Sequence, residues 1–280
     1  MPSLTDCLNL ATQAARAGAA VLRDFQKQPD SLIIDFKGRN DLVSQADRQS
    51  EKVIIETLRQ GTPNMAIIAE ESGAVSGKHA TWHIDPLDGT TNYLHGLGYF
   101  AVSIGLMAHA GSTDASGNIL TEDTPILGVV YDPTREEMFT AIRGEGAFLN
   151  GQPIQQSNVQ SLDHALIAAG IQVRRPEDLE AYLRIIHDLA QSSRGIRRFG
   201  AAALDLAWLA CARVDGYVEE KLESWDVVAG TVIAREAGAL VSDPLLPEDN
   251  WPKAGRVVAS GPTLHDQLIA FYRQHMQLTP

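Results

Sequence analysis

The most constraining stretch of the sequence is Trp82-His83-Ile84-Asp85-Pro86-Leu87-Asp88-Gly89-Thr90-Thr91-Asn92. Its first residues read as a strand that runs into Asp85 and is broken by Pro86. Asp88 then falls at the N-terminus of a short helix whose first turn contains Gly89, Thr90 and Thr91. Folding the chain at Pro86 lets Asp85 and Asp88 converge on one point. The Leu87 carbonyl, freed from the sheet ladder, becomes a spare oxygen donor. The Gly89 and Thr90 amides are unpaired donors at a helix start, suited to an anion such as phosphate. Hard oxygen ligands beside such a nest suit Mg²⁺ rather than zinc.

Taken alone, an Asp-x-x-Asp pair is more simply a helix cap. Two further acidic positions shift that balance. Glu70-Glu71-Ser72-Gly73 closes the strand-like run Ala66-Ile67-Ile68-Ala69, and Ser224-Trp225-Asp226 opens a helix far downstream. A solvated loop carboxylate explains Glu70 by itself, and dipole stabilisation explains Asp226 by itself. Strand ends on one sheet edge are where sites assemble, so the coincidence of all four points to a shared cation site.

Around this segment the chain changes texture. Leu4, Leu8, Ala11, Ala15, Leu22 and Phe25 recur at helical spacing after Ser3, which with Asp6 resembles a capping box. That helix stops near Pro29, residues 32–36 look extended, Lys37 to Asp41 form a turn, and a second helix runs from about Asp47 to Gln60. Strands follow at 66–69, 81–84, 100–107, 126–131, 137–142 and 147–149, with a polar hairpin loop over 111–124. From about Gly151 the pattern alternates: strands at 166–169, 216–220 and 256–259, helices at 178–191, 201–212, 225–238 and 264–275. The expected fold class is α+β / α/β, a layered αβαβα sandwich. Residues 1–150 form an N-terminal antiparallel-sheet lobe with most metal ligands. Residues 151–280 form a C-terminal α/β lobe that contributes Asp226 and substrate contacts.

Composition narrows the function. Among 280 residues, 44% are hydrophobic and 21% charged, which argues against disorder. A formal net charge of -12 repels nucleic acids and anionic membranes, so direct nucleic-acid binding is not expected. The same charge requires cations to invert the field wherever a phosphate is to bind. Cys7 and Cys211 lie in helical segments with neither disulfide nor zinc spacing, which suits a reducing compartment. No signal peptide or membrane span is visible, and the expected location is cytoplasmic.

The segment 82–93, with Ser224-Trp225-Asp226-Val227-Val228-Ala229-Gly230 and Glu236-Ala237-Gly238-Ala239, resembles the two signatures of the inositol monophosphatase family. Supporting matches are Lys37 to Asp47, Ala69 to Gly73, Tyr131-Asp132-Pro133, Arg143 to Ala147 and Gly195 to Gly200, in the family's order over most of the chain. The resemblance implies two or three Mg²⁺ ions. Glu70, Asp85 and the Leu87 carbonyl would hold one, and Asp85, Asp88 and Asp226 a second, with Glu70 contributing to a weaker third through water. Gly89 and Thr90 match phosphate-binding positions. Asp47 and Thr90 match the catalytic pair that orients and deprotonates the attacking water. Leu87, Asp88 and Asp226 also border the substrate, Glu219 matches a position that binds substrate hydroxyls, and Ala202 one that contacts the ring. Two divalent ions that clamp the attacking and leaving oxygens of an in-line displacement fit this set.

The implied substrate is a small phosphate monoester, with myo-inositol monophosphate first. Histidinol phosphate, fructose 1,6-bisphosphate and nucleotide phosphates remain alternatives, as does an interaction role with the transcription or RNA-processing machinery. A homodimer and lithium inhibition are family expectations. Gly98 stands where relatives commonly carry Pro, Ala201 where they carry Ser or Thr, and the loop 111–124 is longer than usual. His79, His83, His95 and His109 read as strand or loop residues without an acid role, because the two-metal scheme needs no imidazole. Lys37 is either a residue near the metals or a solvated turn lysine. Arg197-Arg198 reads as a surface or dimer ion pair, and Trp208 and Trp225 as core or interface residues.

Overall fold

The computed structural model describes residues 2–27, 34–38, 41–112, 118–171, 179–246, 248 and 250–276. Ser3 accepts the Asp6 amide at 3.1 Å and starts α1 (Leu4–Gln26). Its buried stripe is Cys7, Ala11, Ala14, Ala15, Gly18, Ala19 and Leu22. Small residues there let the next helix approach closely: a Cβ on Gly18 would meet Ile54 Cδ1 at 2.7 Å. The antiparallel pair β1 (Ile34–Gly38) and β2 (Asp41–Ser44) leads into α2 (Gln45–Gly61). This helix starts two residues earlier than expected, because Ser44 caps it and Asp47 closes the capping box. Arg39 and Asn40 of the expected turn, and residues 113–117 of the polar loop, lie outside the described residues.

The large sheet contains β3 (Ala66–Ala69), β4 (Gly73–Val75), β5 (Ala80–Asp88), β6 (Ala101–Ala108), β7 (Thr124–Asp132), β8 (Glu137–Ile142), β9 (Gly146–Leu149) and β10 (Gln152–Pro153). Their order is β10-β9-β8-β7-β6-β5-β3-β4, antiparallel except for β3 beside β5. The short helix α3 (Thr90–Leu94) follows β5. Every residue of β5, β6 and β7 is buried, so both faces are covered. Trp82, Ile84, Ile104 and Val129 pack with the α1 and α2 stripes on one face.

The second sheet contains β11 (Leu166–Ala169), β12 (Gly195–Arg197), β13 (Gly216–Glu219), β14 (Leu240–Ser242) and β15 (Val257–Ser260) in the order β12-β11-β13-β15-β14. The helices are α4 (Leu179–Ser192), α5 (Ala202–Ala210), α6 (Ser224–Glu236) and α7 (Pro262–Met276). Helices α5 and α6 lie between the sheets: Ala203, Leu204, Ala229 and Ile233 meet Val130 and Phe139 of one, while Leu206 and Val227 meet Tyr217 and Ala259 of the other. Helices α4 and α7 cover the outer face against Ile167, Val218 and Val258. The five layers are those expected. Being sandwiched explains why residues 227–234 of α6 are buried without a polar face. Among the described residues no helix is long and apolar enough to cross a membrane.

Pro86 departs from expectation. It does not end β5; the strand runs on to Asp88, and Pro86 sits in a bulge where the register to β6 shifts between Asp85 and Asp88. A bulge tolerates the missing amide donor.

Candidate active site

The bulge aims the end of β5 at the layer between the sheets. Asp85 is 3% exposed, and its Oδ1 accepts the Leu87 amide at 2.9 Å. Burial raises its carboxyl well above the ordinary value, and the charges of Glu70, Asp88 and Asp226 raise it further. Glu70 stands beside it because β3 runs parallel to β5, with the Glu70 amide donating to Ile84 O at 3.2 Å. Asp226 lies in the first turn of α6, where its Oδ2 accepts the Glu223 amide at 2.7 Å. Burial raises it as well, followed by Asp88, with Glu70 and Glu219 adding smaller contributions. Carboxylates from three distant stretches therefore act on one another.

Asp88 is held in a way no local pattern announces. Its carboxylate accepts the amides of Ala202 at 3.1 Å, Ala203 at 2.7 Å and Leu204 at 3.4 Å. It thus caps α5, whose own N-cap, Ala201, has no side-chain oxygen to offer. Burial pushes the Asp88 carboxyl up to about 7 against these amides. Gly89 N-caps α3 with φ 94, and a Cβ there would come within 3.1 Å of Tyr99 O and 3.3 Å of Phe100 Cα, so backbone and space both require glycine.

Asp47 is fully buried beside Thr90. The Ser44 amide donates to Asp47 Oδ2 at 2.9 Å and the Ser44 hydroxyl at 2.5 Å. The Thr90 hydroxyl reaches Asp47 Oδ1 at 3.2 Å and Leu87 O at 3.1 Å, and its single hydrogen serves one of them at a time. Burial lifts the Asp47 carboxyl above its ordinary value despite these hydrogen bonds, which makes it a better proton acceptor than an exposed aspartate. Glu219 ends β13, is 5% exposed and accepts the Tyr217 hydroxyl at 2.7 Å. Ala202, the first residue of α5, stands over Asp88 through its amide.

Among the described residues no three carboxylate, imidazole or thiol groups are gathered closely enough to hold one metal ion as they stand. Asp88 is engaged by α5 and Asp226 by the Glu223 amide. The donors still suit a hard dication. They are oxygens only, each carboxylate oxygen that accepts one amide keeps a further lone-pair direction, and their mutual repulsion falls when a cation enters.

Two contacts at this corner were missed by sequence reasoning. Ser44 orients Asp47, and Ser44-Gln45-Ala46-Asp47 carried the capping-box signal for it. His83 Nδ1 lies 2.8 Å from Ser224 Oγ, across stretches with no local sequence link. Burial pushes the His83 imidazole down to about 4. His109 Nε2 meets Thr81 Oγ1 at 2.7 Å, and His79 and His95 are exposed. Arg197 and Arg198 are both exposed, and the Lys37 side chain lies outside the description. Trp208 packs edge-on to Tyr99 and Phe199, with Arg135 and Arg213 over its ring, and Trp225 is half-buried.

A profile of the inositol monophosphatase family matches residues 3–277. The chain is 39% identical over 271 residues, 96% of each chain, to the protein of Escherichia coli K12 named Nus factor SuhB. It is 39% identical over 272 residues to the putative Nus factor SuhB of Neisseria meningitidis serogroup B, covering 96% of this chain and 98% of that one. Among solved structures, the extragenic suppressor protein suhB of Bartonella henselae superposes with a TM-score of 0.86 at 35% identity, covering 95% of this chain and 98% of that one. The inositol monophosphatase of Anabaena (Nostoc) sp. PCC 7120 gives a TM-score of 0.79 at 36% identity, covering 97% and 96%.

Proposed function

The chain belongs to the inositol monophosphatase family, and from that premise we propose that it is a Mg²⁺-dependent phosphatase acting on the phosphate monoester of a small polyol, with myo-inositol monophosphate first. The observation that carries the proposal is the electrostatic meeting of Glu70, Asp85, Asp88 and Asp226 beside the hydrogen-bonded pair Asp47 and Thr90. Glu70, Asp85, Asp88, Asp226 and the Leu87 carbonyl would hold two or three Mg²⁺ ions. When bound, these supply neutralisation of phosphate charge and a lowered pKa for the attacking water. The chain's own part is proton handling and orientation. Thr90 takes the proton of the attacking water on Oγ1 as its own passes to Asp47 Oδ1, while Ser44 keeps the carboxylate turned toward it. The Gly89 and Thr90 amides bind phosphate oxygens. Glu219, its carboxylate fixed by Tyr217, accepts from substrate hydroxyls, and Ala202 leaves room for the ring.

The proposal includes a division of labour. Residues 1–150 supply most ligands, and 151–280 supply Asp226, Glu219 and Ala202. It extends to a cytoplasmic homodimer inhibited by lithium at the second cation position. Phosphate release from a panel of sugar, polyol and nucleotide monophosphates, with and without Mg²⁺, tests it. Mg²⁺-dependent release with preference for inositol monophosphate is the expected result. Preference for histidinol phosphate, fructose 1,6-bisphosphate or a nucleotide would replace the substrate, and no Mg²⁺-dependent release from any would sink the enzyme reading.

A second reading is a regulatory protein bound to the transcription or RNA-processing machinery. The name Nus factor carried by relatives at 39% identity favours it. The net charge of -12 suits a protein partner better than direct nucleic-acid contact. Pull-down of such machinery by wild type and by Asp85→Asn separates a scaffold, which keeps its partner in the variant, from an enzyme alone.

A further inference from the structure

Asp85 and Asp226 sit on different elements, so their separation depends on how α6 lies on the large sheet. In the ladder, His83 stands opposite Gly105 and Asp85 opposite Ser103, and Gly105 in turn stands opposite Gly128. Alternation puts these residues on the face that α6 covers. The middle of the helix rests directly on it: a Cβ at Gly128 would lie 2.3 Å from Ala229 O, and one at Gly105 would lie 2.8 Å from Ala229 N. That seat sets the height of α6 on the sheet, and the first turn, which carries Asp226, makes further contacts of its own with the strands.

Two of these are polar. Ser103 Oγ donates to Trp225 O at 3.1 Å, and His83 Nδ1 stands 2.8 Å from Ser224 Oγ. Asp85 lies two residues beyond His83 on the same strand face, and Asp226 lies two residues beyond Ser224 in the first helical turn.

We infer that the His83–Ser224 hydrogen bond is a clamp that sets the spacing between Asp85 and Asp226, making His83 and Ser224 positioning residues for the shared cation. They touch neither cation nor substrate. The inference rests on the proposed metal site and deepens it. A side chain that merely filled space would alter stability without altering cation affinity, and that difference provides the test.

Mg²⁺ is titrated calorimetrically into the full-length, EDTA-stripped protein as wild type, His83→Ala, Ser224→Ala, the double variant, His83→Asn and Asp85→Asn. Thermal melts in EDTA are run alongside. His83→Asn offers a polar atom where Nδ1 stands. Each alanine variant is expected to weaken Mg²⁺ binding about tenfold, the size typical of residues that orient metal ligands. The double variant should be no weaker than either single one, because both remove the same contact. His83→Asn should recover most of the affinity. With p-nitrophenyl phosphate the half-saturating Mg²⁺ concentration should rise, while kcat at saturating Mg²⁺ stays within about twofold of wild type, as expected for a residue that acts only through ligand placement. Wild-type Mg²⁺ affinity in Ser224→Ala, or a loss in His83→Ala that His83→Asn does not reverse, overturns the clamp and leaves the metal site standing. Wild-type Mg²⁺ affinity in Asp85→Asn removes the metal site, and the clamp falls with it.

Discussion

Gly128→Ala tests whether the seat of α6 on the sheet governs the candidate site. The added Cβ would stand 2.3 Å from Ala229 O and 3.0 Å from Ala229 C, whereas ordinary contact begins at 3.4 Å. The obstacle is a carbonyl inside a helix, already committed to the helical ladder, so it cannot rotate aside. Helix and strand must therefore separate by about 1 Å, because the packed interior offers no slack. Overpacking of this kind costs about 1–3 kcal/mol, which for a chain of this size lowers the melting temperature by about 2–5 °C. Asp226 lies one turn before Ala229 and moves with it. A misplacement of about 1 Å can cost about a hundredfold in rate, so activity should fall far more than the folded fraction does. Differential scanning fluorimetry and steady-state phosphate release across a Mg²⁺ series measure both effects. A variant that melts with wild type and keeps its half-saturating Mg²⁺ concentration would show that the glycine contact does not set the helix position. Gly105→Ala should be milder, since its nearest neighbour is Val228 Cγ1 at 2.5 Å, which can turn away, although Ala229 N at 2.8 Å cannot.

Two further outcomes follow from the same geometry. Asp47→Asn and Thr90→Ala should each lower kcat by about 10²–10⁴, the range for a lost proton-transfer group, with calorimetric Mg²⁺ affinity changed much less; a loss of Mg²⁺ binding equal to the loss of rate would reassign them as ligands. Burial pushes the His265 imidazole from 6.5 down to about 4, so the unfolded chain binds a proton first as pH falls. Its contribution is complete above pH 6.5 and drains away between there and about pH 4, by about 3 kcal/mol at most. Urea titrations at pH 7 and pH 4.5 should show this slope in wild type and a flatter one in His265→Gln.

The layers were legible wherever a segment carried a period or a stop. The buried stripe of α1 and the alternation of strands with helices after residue 151 each have one. The strands β4, β12 and β14 have three residues each and carry no period. β5 was read short because a proline ordinarily ends a ladder, whereas here a bulge absorbs it. The acidic positions were legible because each closes a strand or opens a helix. What holds them was not. Asp88 caps a helix 114 residues away in sequence, and the absence of an oxygen-bearing side chain at Ala201 is its only local trace. The His83–Ser224 contact spans 141 residues and joins two types with many other uses.

The net charge of -12 and an anionic substrate are reconciled only if cations enter first. Burial and neighbouring carboxylates, Glu219 in the case of Asp88, hold Asp85, Asp88 and Asp226 above ordinary carboxylate values, so entering cations displace protons as well as neutralising charge. At an effective dielectric of about 20, each ionised carboxylate about 5 Å from a phosphate charge opposes it by on the order of 3 kcal/mol. Several together exceed what a few amides at a helix start return. Each dication reverses that sign with twice the charge. Inorganic phosphate should therefore bind with Mg²⁺ present and show no calorimetric heat in EDTA, where metal-free phosphate binding of similar affinity would mean the anion is held by something other than the carboxylate cluster and its cations.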